Sequence, residues 1–516
     1  MSSLDKSAVD AAAPEPISSE PRAVQFHFDN TYARLPERFY AHVDPTPVSA
    51  PSLIKLNVEL AGKLNLDPDA LQSGTGIKIL AGNRVADGSE PIAEAYAGHQ
   101  FGHFVSQLGD GRAILLGEVI GRDGKRYDIQ LKGPGRTPFS RGGDGRAAVG
   151  PVLREYIVSE AMAALGVPTT RALAAVSTGD SVLRERALPG AVLTRVAASH
   201  IRVGTFQYFA ARQDVEAIRT LTGYAIARHY PDAKDAKLPY RAFLDGVIAR
   251  HASLVAHWIS IGFIHGVMNT DNTSISGETI DYGPCAFMEA YDPATVFSSI
   301  DRQGRYAYAN QPGIALWNLA RLAETLMPLL EQEAGSEQTA LDSANESLAA
   351  FADAYETERL LRFRHKLGLL TEHEEDAALI EDLMRLMLTH RADFTLVFRH
   401  LCDAARGPEG DDALAALIDD AGACGSWSAR WRGRMEKEVG SIEESAAVMR
   451  SSNPIFIPRN HRVEAALSAA IDQQDYQPFE ELLDVVSRPF EDRPEMERYA
   501  TPARPEEAVA QTFCGT

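Results

Sequence analysis

The chain has 516 residues, 45% of them hydrophobic and 24% charged. That is ordinary globular composition, enough for roughly two to four domains or one large two-lobed unit. A formal net charge of -20 excludes general nucleic-acid binding, because an unpatterned acidic surface repels phosphate backbones. It leaves room for a nucleotide cleft, which needs only a few local cations. The four cysteines, Cys285, Cys402, Cys424 and Cys514, include no CxxC pair, which argues against a disulfide scaffold and a cysteine-based zinc site. No apolar run approaches the ~20 residues needed to span a bilayer, so no membrane role is expected. A monomer of a reducing compartment, the cytoplasm, is the expectation.

Taken in chain order, residues 1–25 are rich in Ala, Pro and Ser and read as a disordered leader. Residues 26–203 mix helical patches with strand-like runs and form the expected first lobe. Ala113–Val119 (AILLGEV) and Tyr127–Lys132 (YDIQLK) flank the turn-like GRDGK and predict a hairpin of a twisted sheet. Pro151–Leu165 has helical spacing, with Pro in the first turn and Gly166 just past the end. Ala172–Ser177 and Ala191–Val196 are further strand candidates. Residues 204–516 change to long helical stretches, strongest at Tyr240–Ile264 and Ile314–Leu330, with an Ala-, Leu- and Glu-rich region from 340 to 420. The fold class expected is α+β, a protein-kinase-like pair of lobes: a β-rich N-lobe, then a larger helical C-lobe with a C-terminal helical extension.

The chemistry concentrates in His265–Gly283, HGVMNTDNTSISGETIDYG. It opens like the kinase catalytic loop H-R-D-L-x-x-x-N and closes like the Asp-aromatic-Gly that holds magnesium. Val267 occupies the slot of the kinase base and can accept no proton. Asn272 and Asp281 keep the offsets of the two metal ligands, and Asp271 supplies a displaced carboxylate. Between them TSISGETI reads as a short hairpin with a Gly-Glu turn. Either motif alone is explained equally well by turn-forming residues; both in order, after a strong helix, favour a metal and phosphate site.

Upstream, LGDGR places Gly109, Gly111 and Arg112 in a Gly-rich turn that could approach phosphates, although a plain β-turn explains it as well. Lys132 ends a strand where a kinase carries its phosphate-binding Lys, and Glu155 follows in the next helix as its partner. The segment GPGRTPFSRGGDGRAAVGP, with Arg136, Arg141 and Arg146 among glycines, is either an anion-binding loop or a solvated connector. Arg195 and Arg202 stand near the junction of the lobes. Several cations facing one cleft exceed what a γ-phosphate in the usual kinase pose requires.

The segments YAGHQFGHFVSQLGDGRA, YDIQLKGPGRTPFSRGGDGRA, LREYIVSEAMAALGVPTTRAL, HGVMNTDN, DYGPCAFM and NPIFIPRNHRVEAAL resemble the selenoprotein O (SelO) family of pseudokinases. The resemblance runs from about Tyr32 to the C-terminus. It implies a kinase-like fold that binds ATP in an inverted orientation and transfers AMP to Ser, Thr or Tyr hydroxyls of protein substrates, with Mg²⁺ or Mn²⁺. It makes Asp271 the catalytic base and gives the metal to Asn272 and Asp281. Lys132, Arg195 and Arg202 would hold the distal phosphates, and Glu155 would position Lys132. Gly109, Gly111, Arg112, Asp144, Gly145 and Asp281 would contact the nucleotide. Some members carry selenocysteine near the C-terminus, where this chain has Cys514; a bond between Cys514 and Cys285 that gates the site is one reading, and two unpaired thiols is the other. Conventional γ-phosphoryl transfer and a non-catalytic nucleotide-binding scaffold stand as alternatives.

Overall fold

The computed structural model describes residues 24–407 and 410–513. Its central feature is an antiparallel sheet built from β1 (Tyr40–His42), β2 (Ser52–Leu56), β3 (Ile92–Glu94), β6 (Ala113–Ile120), β7 (Arg126–Lys132), β9 (Arg171–Leu183) and β10 (Ala187–Ala197), with β8 (Ala147–Ala148) added against β10. The strands lie in the order β1-β3-β6-β7-β10-β9-β2. The GRDGK turn closes the β6–β7 hairpin as the alternation predicts, pairing Ala113 with Lys132 and Ile120 with Arg126. Two strands the sequence did not suggest, β4 (Gly98–Gln100) and β5 (His103–Val105), form a separate small hairpin.

The predicted helix after the sheet's first hairpin spans Val149–Ala164 and ends where Gly166 takes φ +79°, the left-handed conformation glycine supplies cheaply. Its Val152, Leu153, Tyr156 and Ile157 pack on the sheet face formed by Ala172, Ala175, Ala191 and Leu193. Phe456, Val463, Leu467, Phe479 and Leu482 close the same cluster. These come from the last quarter of the chain, notably the helices Asn460–Gln473 and Gln477–Val486. The C-terminal helices therefore return to buttress the N-terminal helix, and ion pairs Arg154–Glu464 and Lys55–Glu480 cross the same seam. Phe479 is fully buried against Tyr156, ring centroids 5.7 Å apart. Phe479→Ala is expected to cost about 3–5 kcal/mol, read as a lowered denaturation midpoint; an unchanged midpoint would mean that the C-terminal helices do not support the helix they cover.

The helical half is built around Pro239–Ser260, Gln311–Ala334 and Glu337–Lys366, whose apolar faces form one continuous core. The first of these is shorter than the sequence suggests. Gly262 (φ +72°) breaks it, and Phe263–Ile264, expected to continue the helix, forms instead β11, paired with β12 (Ala286–Phe287). TSISGETI also departs from expectation. Gly277 does make a turn, but Ser274 bridges to Arg202 and Thr279 bridges to Thr169, so both arms pair outward with other segments. The fold is α+β, with an antiparallel sheet in the N-terminal region and helices in the C-terminal part. No helix among the described residues is long and apolar enough to cross a membrane.

Candidate active site

Lys132 points from the end of β7 to Glu155 on the helix that follows, with Nζ 2.5 Å from Oε2. The same Nζ lies 2.8 Å from Asp281 Oδ1. Arg195, from β10 beside β7, donates to Glu155 Oε1 (2.7 Å) and Asp281 Oδ1 (2.8 Å). Arg202 reaches Asp281 Oδ2 (3.5 Å) and donates to the Asp271 carbonyl at 2.7 Å. Five residues drawn from the sheet, its helix, the segment after β10 and the loop after β11 thus form one charged network: three cations on Glu155 and Asp281, with Asp110 3.9 Å from Arg202. Three cations clustered in this way suit an anionic ligand. Burial opposes the charge on Glu155 and Asp281, but Arg195 and Lys132 outweigh it for the first, and Lys132, Arg195 and Arg202 for the second. Both carboxyls are held below their usual range, Asp281 well below.

The loop carrying Asp271 is fixed from several sides. His265, buried, lies 3.0 Å through Nε2 from the Ile280 carbonyl, which joins the start of the loop to the segment just before Asp281. Val267 is buried, and its carbonyl accepts the Asn272 carboxamide N–H at 3.0 Å. That orientation spends the nitrogen of Asn272 on the loop and leaves its oxygen for other use. Asp281 itself sits at φ +66°, uncommon for a residue with a Cβ and maintained here by the ion pairs around it. An amide oxygen and a carboxylate are the donor types a hard divalent cation takes, so Asn272 and Asp281 fit such an ion.

Asp271 is 7% exposed. Burial pushes its carboxyl up to about 6, against the lowering effects of the Gln100 hydrogen bond and the Arg202 charge. Its Oδ2 accepts from Gln100 Nε2 (3.1 Å), while Oδ1 has no hydrogen-bond partner. The β4–β5 hairpin lies directly over it: His99 N–H donates to Thr270 Oγ1 (2.7 Å) and Phe101 N–H to Asn269 Oδ1 (3.0 Å). Glycine is required at 98 because a Cβ there would stand 2.7 Å from Asp271 Oδ1. Sequence reasoning missed Gln100; YAGHQFGHF carries no alternation that announces a hairpin, and only the fold brings it to the loop.

The Gly-rich turn is braced from within and by the segment that follows β7. The N–H groups of Gly109 and Asp110 donate to the carbonyls of Tyr96 and Glu94 (both 3.0 Å), so they serve the turn. Gly109 is glycine because Phe139 fills the place of a Cβ, which would lie 2.3 Å from the ring. Phe139 belongs to the Arg136–Arg146 segment, which is tied back further by Thr137 Oγ1 to the Asp110 carbonyl (2.6 Å) and Ser140 Oγ to the Gly111 carbonyl (2.5 Å). Arg112 leads into β6, its carbonyl accepting from Gly133 N–H. Arg136 and Arg141 are exposed, whereas Arg146 donates to the carbonyls of Thr46 and Pro47. Asp144 pairs with Arg184 (2.8 Å), and Gly145 turns at φ +66° against the Gly135 carbonyl. Cys285 is buried beside the Asp281 turn; Cys514 lies outside the described residues.

Comparison with known proteins gives a consistent result. The family model described as protein adenylyltransferase SelO matches residues 22–487. A Bradyrhizobium diazoefficiens protein named protein nucleotidyltransferase YdiU is 61% identical over 493 residues, covering 96% of this chain and 100% of that protein. Proteins of the same name from Methylorubrum populi (61% over 497 residues, 95% and 99% covered) and Nitrobacter hamburgensis (58% over 499 residues, 97% and 98% covered) are similar throughout. With nearly the whole length matched, the chain belongs to the SelO family of protein adenylyltransferases.

Proposed function

We propose that the protein transfers AMP from ATP to Ser, Thr or Tyr hydroxyls of protein substrates and releases pyrophosphate. The observation that carries this reading is the convergence of Lys132, Arg195 and Arg202 beside a buried carboxylate, Asp271, while Val267 fills the kinase base position. Attack at the α-phosphorus makes pyrophosphate the leaving group, so cations are needed where its charge develops. Lys132, Arg195 and Arg202 are assigned to that end, with Glu155 aligning Lys132 and Arg195. Gly109, Gly111, Arg112, Asp144, Gly145 and Asp281 are assigned to the nucleotide. Asn272 and Asp281 would hold Mg²⁺ or Mn²⁺, which supplies charge neutralisation at the phosphate oxygens.

The acceptor hydroxyl gives its proton to Asp271 as its oxygen bonds to the α-phosphorus, and the bond from that phosphorus to the β-phosphate oxygen breaks. A carboxylate raised to about 6 by burial is a stronger base than a solvated one and remains ionised at neutral pH. Gln100 holds Oδ2 from the hairpin above and so orients the base. Losing a hydrogen bond to a charged group costs about 1.5–3 kcal/mol, so Gln100→Ala is expected to lower kcat about tenfold or more with KM for ATP unchanged. A variant with full kcat would remove Gln100 from the mechanism.

The reading is tested by peptide mass spectrometry of acceptor proteins after incubation with ATP and a divalent cation. Adenylyl groups on Ser, Thr or Tyr are expected. Phosphoryl groups at those positions, with no adenylyl groups, would overturn it.

A further inference from the structure

A second cluster of ionisable groups lies in the N-terminal sheet, outside the network described above. Glu94 on β3, Asp128 on β7 and His200 just after β10 are each at most 2% exposed. Among the described residues they form one group of three whose ligand atoms all lie within 4.8 Å of one another. Asp128 fixes the imidazole: its Oδ2 accepts His200 N–H (3.0 Å) and faces Nδ1 at 2.9 Å. Arg228 pairs with the other oxygen of Asp128 (2.5 Å), and with Asp128 accepting at Nδ1 that nitrogen carries the proton and Nε2 the lone pair. That Nε2 has no hydrogen-bond partner. Neither has either carboxylate oxygen of Glu94, nor the buried Tyr32 hydroxyl, on which Glu94 is the strongest charged neighbour.

Buried polar atoms are normally satisfied, and an orphaned carboxylate is among the costliest exceptions. The charges around it sharpen the point. Glu94, Asp110, Glu118 and Asp128 are all buried. Arg228 serves Glu118 (3.1 Å) and Asp128 (2.5 Å), while Arg202 lies 3.9 Å from Asp110 and is shared with Asp281. Arg126 reaches only the edge of Glu118, at 3.4 Å. Negative charge is therefore in excess around Glu94, which must acquire a cation or protons.

We propose that Glu94 and the Nε2 of His200 are the protein ligands of a buried divalent cation of zinc type, distinct from Asn272 and Asp281, with Asp128 behind the imidazole. Imidazole nitrogen and carboxylate oxygens suit zinc better than magnesium or calcium. Asp128, on Nδ1, orients the His200 ring, the usual support for a ligating histidine. The ion would staple β3, through His200, to the segment that leads to Arg202, which holds the Asp271 carbonyl.

The test is metal content and melting temperature of the full chain, expressed with zinc in the medium and washed with a mild chelator. Wild type and Asp281→Asn are both expected to retain one ion per chain. His200→Gln and the isosteric Glu94→Gln are expected to bind Zn²⁺ at least about tenfold more weakly. Stripping wild type with a strong chelator should lower its melting temperature, and Zn²⁺ alone should restore it, whereas Glu94→Gln should respond to neither. The proposal is overturned if wild type retains no ion and Glu94→Gln melts at or above the wild-type temperature. That result would assign the neutralisation to protons on Glu94.

Discussion

Asp271→Ala is expected to abolish AMP transfer, lowering kcat by about 10²–10⁴ as the loss of a positioned general base does, while ATP binding is largely preserved. The residue's place in the fold explains why the two effects separate. Its carbonyl, not its side chain, is what Arg202 grips at 2.7 Å, and alanine keeps that carbonyl. The side chain offers one hydrogen bond, from Gln100, and its other oxygen is buried without a partner. Removing it therefore relieves an unsatisfied group and leaves the cationic network on Asp281 intact. Transfer assays beside calorimetric ATP binding check both halves. Full activity of the variant would remove Asp271 from the mechanism.

The opposite balance is expected at Glu155. It is buried between Lys132 (2.5 Å) and Arg195, whose Nη2 lies 2.6 Å from its Oε1, and Arg195 is itself 2% exposed. Removing one partner of a buried ion pair costs about 3–5 kcal/mol, because the remaining charge has lost its compensation. Glu155→Ala should therefore lower the melting temperature and abolish transfer together, since Asp281 alone must then hold both cations. Asp271→Ala should melt close to wild type. Chemical denaturation of the two variants side by side measures the contrast; equal stability would mean that the Glu155 pairs contribute nothing to the fold. The same comparison separates a residue that acts on the reacting atoms from one that shapes the site.

The parts of this site that could be read from the sequence are those fixed by local spacing. Lys132 ends an alternating strand and Glu155 lies on the next helix, so their meeting follows from strand and helix geometry. Asp271, Asn272 and Asp281 lie on one short stretch whose offsets survive in the linear chain. The strands Ala113–Ile120 and Arg126–Lys132 and the helix Val149–Ala164 were visible through alternation, helical periodicity and end signals. What stayed hidden depends on contacts distant in sequence. Gln100 and Asp271 are 171 positions apart, and nothing in GHQFGHF indicates that it folds over the loop of Asp271. Phe263–Ile264 looked like the end of a helix because apolar runs do not distinguish buried strand from buried helix; Gly262 decided the matter. The return of the C-terminal helices onto Val149–Ala164 left no local trace at all, and neither did the meeting of Glu94 with His200.

Glycines show the same division. LGDGR reads equally as a turn that approaches phosphates and as a plain β-turn; the N–H groups of Gly109 and Asp110 are engaged by Tyr96 and Glu94, and Gly109 is explained by the ring of Phe139. A Gly-rich pattern reports that something approaches the backbone closely, without saying whether it is a ligand or a neighbouring side chain. Here the neighbour is present, and any contact of Gly109 and Gly111 with a nucleotide is made in addition to it.

If Lys132, Arg195 and Arg202 serve pyrophosphate departure, AMP is the group that reaches the acceptor. Incubating the protein and an acceptor with ATP labelled at either the α- or the γ-phosphate tests it most directly. The account predicts label on protein from the α-position, none from the γ-position, and loss of that signal in Asp271→Ala. Label from the γ-position alone would contradict it.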